Sequence, residues 1–187
     1  MNMLPQLSPD VRRLVVALPY RVGYFISVSD QSGGDDADEA EQNALRNIVT
    51  FYVEDTVKSE FAHEVMFETL NYKAKWEDWK KGIEKVPDEC QKISSSLVGI
   101  IENKEIIAYK QNLLEIAIVV AQAYREVDEN SPLSDRIQQL VTQLINKMRA
   151  AFGGEVVQQS EAMLSVSPLE RAAIKKLAAS LSIDFHF

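Results

Sequence analysis

The chain has 187 residues, 46% of them hydrophobic and 26% charged, with 20 basic against 28 acidic side chains and a net charge of -8. Length and apolar content suit one domain with a substantial core, and the acidic balance argues against a surface that tracks nucleic-acid phosphates. The single cysteine, Cys90, excludes an internal disulfide, and apolar runs such as LVVAL and IAIVVA fall far below the roughly 20 residues of a membrane-spanning helix.

The N-terminal MNMLPQLSPDVRR lacks the basic-then-apolar order of a signal peptide, so a reducing cytoplasm is the expected setting. Ser8-Pro9 then reads as a helix start, and Leu14, Val15, Leu18, Val22, Phe25 and Ile26 keep a 3.6-residue rhythm that predicts a helix over 9–29. Pro19 inside it removes a backbone donor and should weaken the helix near Val15 and Val16, while Gly23 offers a notch for close approach. A second helix is expected over 36–55 with Leu45, Ile48, Val49 and Tyr52 inward, and a third over 57–72 carrying Phe61, Val65 and Phe67. The segment KAKWEDWKKGIEKVP, residues 73–87, suggests a short helix and a turn. After Pro87, with Asp88 and Glu89 at its positive end, a further helix should run to about Asn103.

Residues 104–127 carry Ile106, Ile107, Leu113, Leu114, Ile116, Ala117, Val120, Ala121 and Tyr124 on more than one stripe, the pattern of a central buried helix. DENSPLSD breaks the chain. Ser134 then caps a helix with Ile137, Leu140, Val141, Leu144, Ile145 and Met148 that stops at Gly153-Gly154. The last helix, 167–183, opens with Ser167-Pro168-Leu169-Glu170, a proline in the first turn within a capping box, and should face inward through Leu169, Ile174, Leu177 and Leu181. The expected fold is therefore an all-α bundle of about seven to eight helices in a single domain, 1–187.

Placing Asp30 against Asp128 aligns Val15 with Leu113, Val16 with Leu114, Leu18 with Ile116, Val22 with Val120 and Ile26 with Tyr124, with Gly23 on Ala121. Both halves, 8–72 and 104–152, then read as apolar helix, acidic turn and amphipathic helix, with 73–103 as an inserted connector. Ser29-Asp30 with Gly33-Gly34 and Glu41, Asp128 with Asp135, and the closing SVSPLERAAIKKLAASLSI together resemble the tellurite-resistance TerB-like family. The turn from Asp30 to Glu41 is longer than that family's, and residues 73–87 have no counterpart in it. The resemblance implies a duplicated helical bundle, non-enzymatic, with a stress-response role in binding a divalent cation or a surface.

Six acidic residues fall between Asp30 and Glu41. Asp30, Asp35, Asp36, Asp38 and Glu41 offer oxygen ligands for calcium or magnesium, with Asp128 and Asp135 in the equivalent turn of the other half. The spacing is not that of an EF-hand, because Ser32 and Gly34 stand at the third and fifth positions and Asp35 replaces the glycine at the sixth. A solvated acidic loop explains the same residues equally simply. A second reading is a ferritin-like di-iron enzyme built on Glu60, His63 and Glu115, but only one Glu-x-x-His pair is present and the other histidine is His186. Cys90 reads as a small apolar residue more readily than as a nucleophile. Trp76 and Trp79 suit a lid packed on the bundle or, alternatively, an exposed patch for a protein partner, as in a scaffold subunit.

Overall fold

The computed structural model describes residues 2–29, 45–50, 59–126 and 166–184. Among these residues the regular structure is all helical: α1 (Pro9–Ser27), α2 (residues 45–50), α3 (Glu60–Asn71), α4 (Trp76–Trp79), α5 (Val86–Ser96), α6 (Asn103–Glu126) and α7 (Pro168–Ser180). Short 3-10 turns at Leu4–Gln6, Lys73–Lys75 and Ile83–Lys85 join or precede them.

The helices start where the sequence supplies caps. The Ser8 hydroxyl accepts from the Val11 N–H with Pro9 in the first turn, and the Ser59 hydroxyl accepts from the Ala62 N–H. Ser167 and Glu170 form a reciprocal capping box at the start of α7, so two otherwise orphaned backbone donors are satisfied at a buried helix end. α5 stops at Ser96, earlier than its apolar pattern suggests. The Ser94 hydroxyl donates to the Cys90 carbonyl, and those of Ser95 and Ser96 to the Lys92 carbonyl, a back-bonding that weakens a helix. Gly99 then takes φ 80°, closing the turn into α6.

α6 is the central helix. From Asn112 to Ala121 every residue except Glu115 is buried, as a helix apolar on all sides requires. α1 packs most extensively against it, followed by α3 and α7, while α5 packs on α1 and α7. Gly23 lets α1 approach its neighbours: a Cβ there would run into the Leu45 side chain on α2 and come within 3.4 Å of Val120 Cγ2 on α6. Leu45, Ile48 and Val49 are buried in that contact.

Pro19 leaves the Val15 carbonyl without its usual partner four residues on. The Tyr109 hydroxyl of α6 donates to that oxygen at 2.8 Å, and the Thr69 hydroxyl of α3 donates to the Val16 carbonyl at 2.7 Å. Two other helices thus complete the weak point of α1, and both hydroxyls are buried. Burial raises the Tyr109 phenol well above its ordinary range, helped by nearby Cys90, so it remains a donor.

Leu169, expected inside, lies outside, and the apolar Phe67 and Ile107 are likewise about half exposed. On α3 the buried stripe runs through Phe61, Ala62, Val65, Met66 and Thr69, and Thr69 takes an inward place because it has a carbonyl to serve. That phase turns Phe67 to solvent. The expected helix ending at Gly153-Gly154 and the residue Tyr52 fall outside the described residues, as does the second half of the proposed repeat beyond α6.

Candidate functional site

A groove of about 750 Å³, half open to solvent, lies between the beginning of α1 and the α4 segment. One wall consists of Pro5, Leu7 and Pro9, continued along α1 by Arg12, Arg13 and Val16; the other consists of Tyr72, Lys75 and Trp79. The volume is within the range of small-molecule pockets, which are mostly apolar with a few placed polar groups.

Each wall is fixed by a buried or half-buried polar contact. The Glu64 carboxylate of α3 accepts from the Met3 N–H at 2.7 Å and the Leu4 N–H at 3.2 Å. These bonds cap the first 3-10 turn, and Leu4 and Leu7 bury their side chains beneath it. Across the groove, the buried Arg21 guanidinium holds the connecting turn. It donates to the Trp79 carbonyl, to the Lys81 carbonyl at 3.0 Å and to the Gly82 carbonyl at 2.9 Å, and it forms a two-pronged pair with Glu89 at 2.9 and 3.1 Å. All five guanidinium donors are thereby used, which is what allows such a charge to be buried. Gly82, at φ 63°, makes the reversal that aims these carbonyls at Arg21.

The aromatic side chains pack in series behind and along that wall. Trp76 is buried, stacks on Tyr20 at 4.5 Å between centroids and donates its indole N–H to the Thr69 carbonyl at 3.1 Å. Trp79 is half-buried and sits 6.5 Å from Tyr72 at an interplanar angle of 49°. The lid expectation therefore describes Trp76, whose ring faces the core. An exposed pair of tryptophans is not what this segment presents; the ring that borders solvent is Trp79, together with Tyr72.

Charge in the groove runs against the charge of the whole chain. Among the described residues that line it, the cations are Arg12, Arg13 and Lys75, and none is a carboxylate. Arg13 is engaged by Asp10 one helical turn away. Arg12 is half-buried, and neither it nor Lys75 forms an ion pair among the described residues. An unpaired guanidinium beside apolar rings can accept a planar two-oxygen anion through parallel hydrogen bonds.

The other expected site residues divide into those outside and those within the described residues. Asp30, Asp35, Asp36, Asp38, Glu41, Asp128 and Asp135 lie outside the described residues, as does His186. Glu60 and His63 are exposed on α3 and Glu115 is half-exposed on α6; among the described residues no three His, Cys, Asp or Glu side chains form a metal-holding group. Cys90 is buried, and burial, with nearby Glu89, pushes its thiol up to about 12 against the opposing effect of Arg21. Such a thiol is mostly un-ionised near neutrality and a poor nucleophile.

One signal of the groove stands in the sequence itself. Arg12 and Arg13 stand close to the positive end of a helix, where acidic residues are favoured; Asp10 offsets Arg13 there, while Arg12 has no ion pair among the described residues. Among the described residues no helix is long and apolar enough to cross a membrane. No protein-family model, curated protein or solved structure matches the chain.

Proposed function

We propose that this protein is a binding module rather than an enzyme, and that the groove between α1 and α4 receives an organic anion with an apolar body. One observation carries the reading: a chain of net charge -8 gathers Arg12, Arg13 and Lys75 around an apolar and aromatic groove with no carboxylate among its described lining residues. The surrounding negative field weakens attraction for anions at a distance, so selectivity rests on short-range contacts and on the apolar floor. The un-ionised, buried Cys90 supports binding over nucleophilic chemistry.

The test is a titration of isotope-labelled protein with anilinonaphthalene sulfonate, an aromatic anion, followed by amide NMR. Saturable shifts centred on Leu7, Val16, Tyr72 and Trp79, weakened in Arg12→Glu and Tyr72→Ala, are expected. Shifts scattered over the whole surface, or shifts unchanged in both variants, would defeat the proposal.

A place among TerB-like proteins belongs to the same proposal. What supports it is the all-helical architecture and the capping box of the closing helix; divalent-cation binding by the two acidic turns rests on the sequence resemblance. Calcium or magnesium should then raise the melting temperature, by an amount equivalent to about 2.7 kcal/mol at a hundredfold excess over the dissociation constant. Loss of that shift in Asp30→Asn with Glu41→Gln is required by the cation role, and no shift with either ion would remove it.

A further inference from the structure

We infer that residues 2–7 form a hinged strap, latched by Glu64, that opens from the folded bundle as a unit and completes the groove when it closes. The inference rests on the binding reading above for what the strap covers; its opening stands on the geometry of the N-terminal segment. Met3 and Leu4 donate their backbone N–H groups to the Glu64 carboxylate at 2.7 and 3.2 Å. Among the described residues these are the only hydrogen bonds from the segment to the rest of the molecule, since the Gln6 and Leu7 N–H groups donate to the Met3 and Leu4 carbonyls within it. The first donors of a helical turn have no partner inside that turn, so a carboxylate reaching over from α3 is what satisfies them. Leu7 and Ser8, at ψ 148° and 152°, break the helical path between the 3-10 turn and α1 and supply the hinge.

The two walls of the groove are held unequally. Arg21 fixes the far wall through three carbonyls and the Glu89 carboxylate, and the stack of Trp76 on Tyr20 backs it. The near wall hangs on one partly exposed side chain, Glu64, and on two buried anchors, Leu4 and Leu7. Chain termini are poorly ordered unless tied down, and segments with few ties open at less cost than global unfolding. Burial of the two leucines keeps the closed form dominant, while the hinge lets the opening stop at Ser8, where the cap of α1 begins. Pro5 and Leu7 line the groove, so lifting the strap removes part of the wall and closing restores it. A ligand that touches Pro5 and Leu7 therefore binds the closed form in preference and holds the strap down.

The deciding experiment is native-state amide hydrogen exchange on the full chain, with and without anilinonaphthalene sulfonate. The amides of Met3, Leu4, Gln6 and Leu7 should share one protection factor, at least about tenfold below those of Leu18 in α1 and Val65 in α3. Glu64→Ala should lower the strap's protection by at least about tenfold, in line with the loss of hydrogen bonds to a charged group, and leave Leu18 and Val65 unchanged. Glu64→Gln, which keeps an acceptor oxygen, should fall between. At a sulfonate concentration a hundred times its dissociation constant, strap protection should rise by at least about tenfold, towards the roughly hundredfold expected of a ligand that binds only the closed form. Strap amides as protected as Leu18 and Val65, strap protection unaltered in Glu64→Ala, or equal loosening of α1 and α3 in that variant would each overturn the inference. Sulfonate that titrates the groove without changing strap protection would overturn the strap's part in the groove and leave the binding module standing. If the sulfonate does not bind, the binding reading falls, and exchange in the unliganded protein alone upholds or refutes the strap.

Discussion

Removing the Tyr109 hydroxyl should expose how α1 tolerates a proline at its centre. Tyr109→Phe keeps the ring and its edge contact with Phe61, whose centroid is 5.5 Å away, and deletes only the donor to the Val15 carbonyl. A buried acceptor left without a partner costs about 1–3 kcal/mol. For a chain of this size each kcal/mol lowers the melting temperature by about 2–4 °C, so a 2 kcal/mol loss corresponds to a fall of about 4–8 °C. The diagnostic step is to repeat the change in Pro19→Ala, where residue 19 regains an N–H and can serve Val15 itself. Thermal and urea unfolding of the four proteins give a double-mutant cycle. Tyr109→Phe should cost less than half as much in the alanine background as in the parent. Equal costs in the two backgrounds would refute the view that Tyr109 stands in for the donor Pro19 lacks.

Gly23→Ala should destabilise by about 1–3 kcal/mol, because the new methyl meets Leu45 in a closed contact and the surroundings must shift; urea unfolding showing no loss would contradict that tight approach. Glu105 is buried, and although burial acts to raise its pKa, bonds from the Ser59 hydroxyl at 2.6 Å and the Phe61 N–H at 3.0 Å, with a smaller contribution from Lys104, bring it below the ordinary 4.5. A carboxyl depressed in the folded state stabilises above its unfolded pKa, and that stability disappears as pH falls through the folded value. Glu105→Gln should therefore flatten the acid side of the stability profile below about pH 4.5; a parallel profile would assign acid loss to other groups. Cys90 should resist a disulfide reagent in the native protein at mildly alkaline pH and react fully in guanidinium, since its thiol is buried and pushed up to about 12. Rapid native labelling would show that the site opens readily.

Features carried by local chemistry were legible in the sequence. Ser8-Pro9 and the Ser167–Glu170 box begin helices where written, Gly23 is a close-approach notch, and the apolar girth of 104–121 predicts the central helix. Features made by distant residues were not. The weakness at Val15 could be read from Pro19, but Tyr109, which answers it, lies 94 positions away. Leu169 reads as inward on apolarity, whereas packing around α7 leaves it outside, and on α3 the polar Thr69, serving a carbonyl, lies inward while Phe67 faces solvent. The groove joins residues 5–16 to residues 72–79, and no periodicity links those stretches. Arg21 looked like any charged helical residue, since only the fold brings three carbonyls and Glu89 around it.

The most direct measurement of the central claim is a ligand-to-protein proton cross-relaxation experiment on the full chain saturated with anilinonaphthalene sulfonate. Cross-peaks from the phenyl protons to Leu7, Val16, Tyr72 and Trp79, lost in Arg12→Glu, are the predicted result. Cross-peaks to another face, or none at a concentration that saturates any observed binding, would contradict a groove built for an apolar anion.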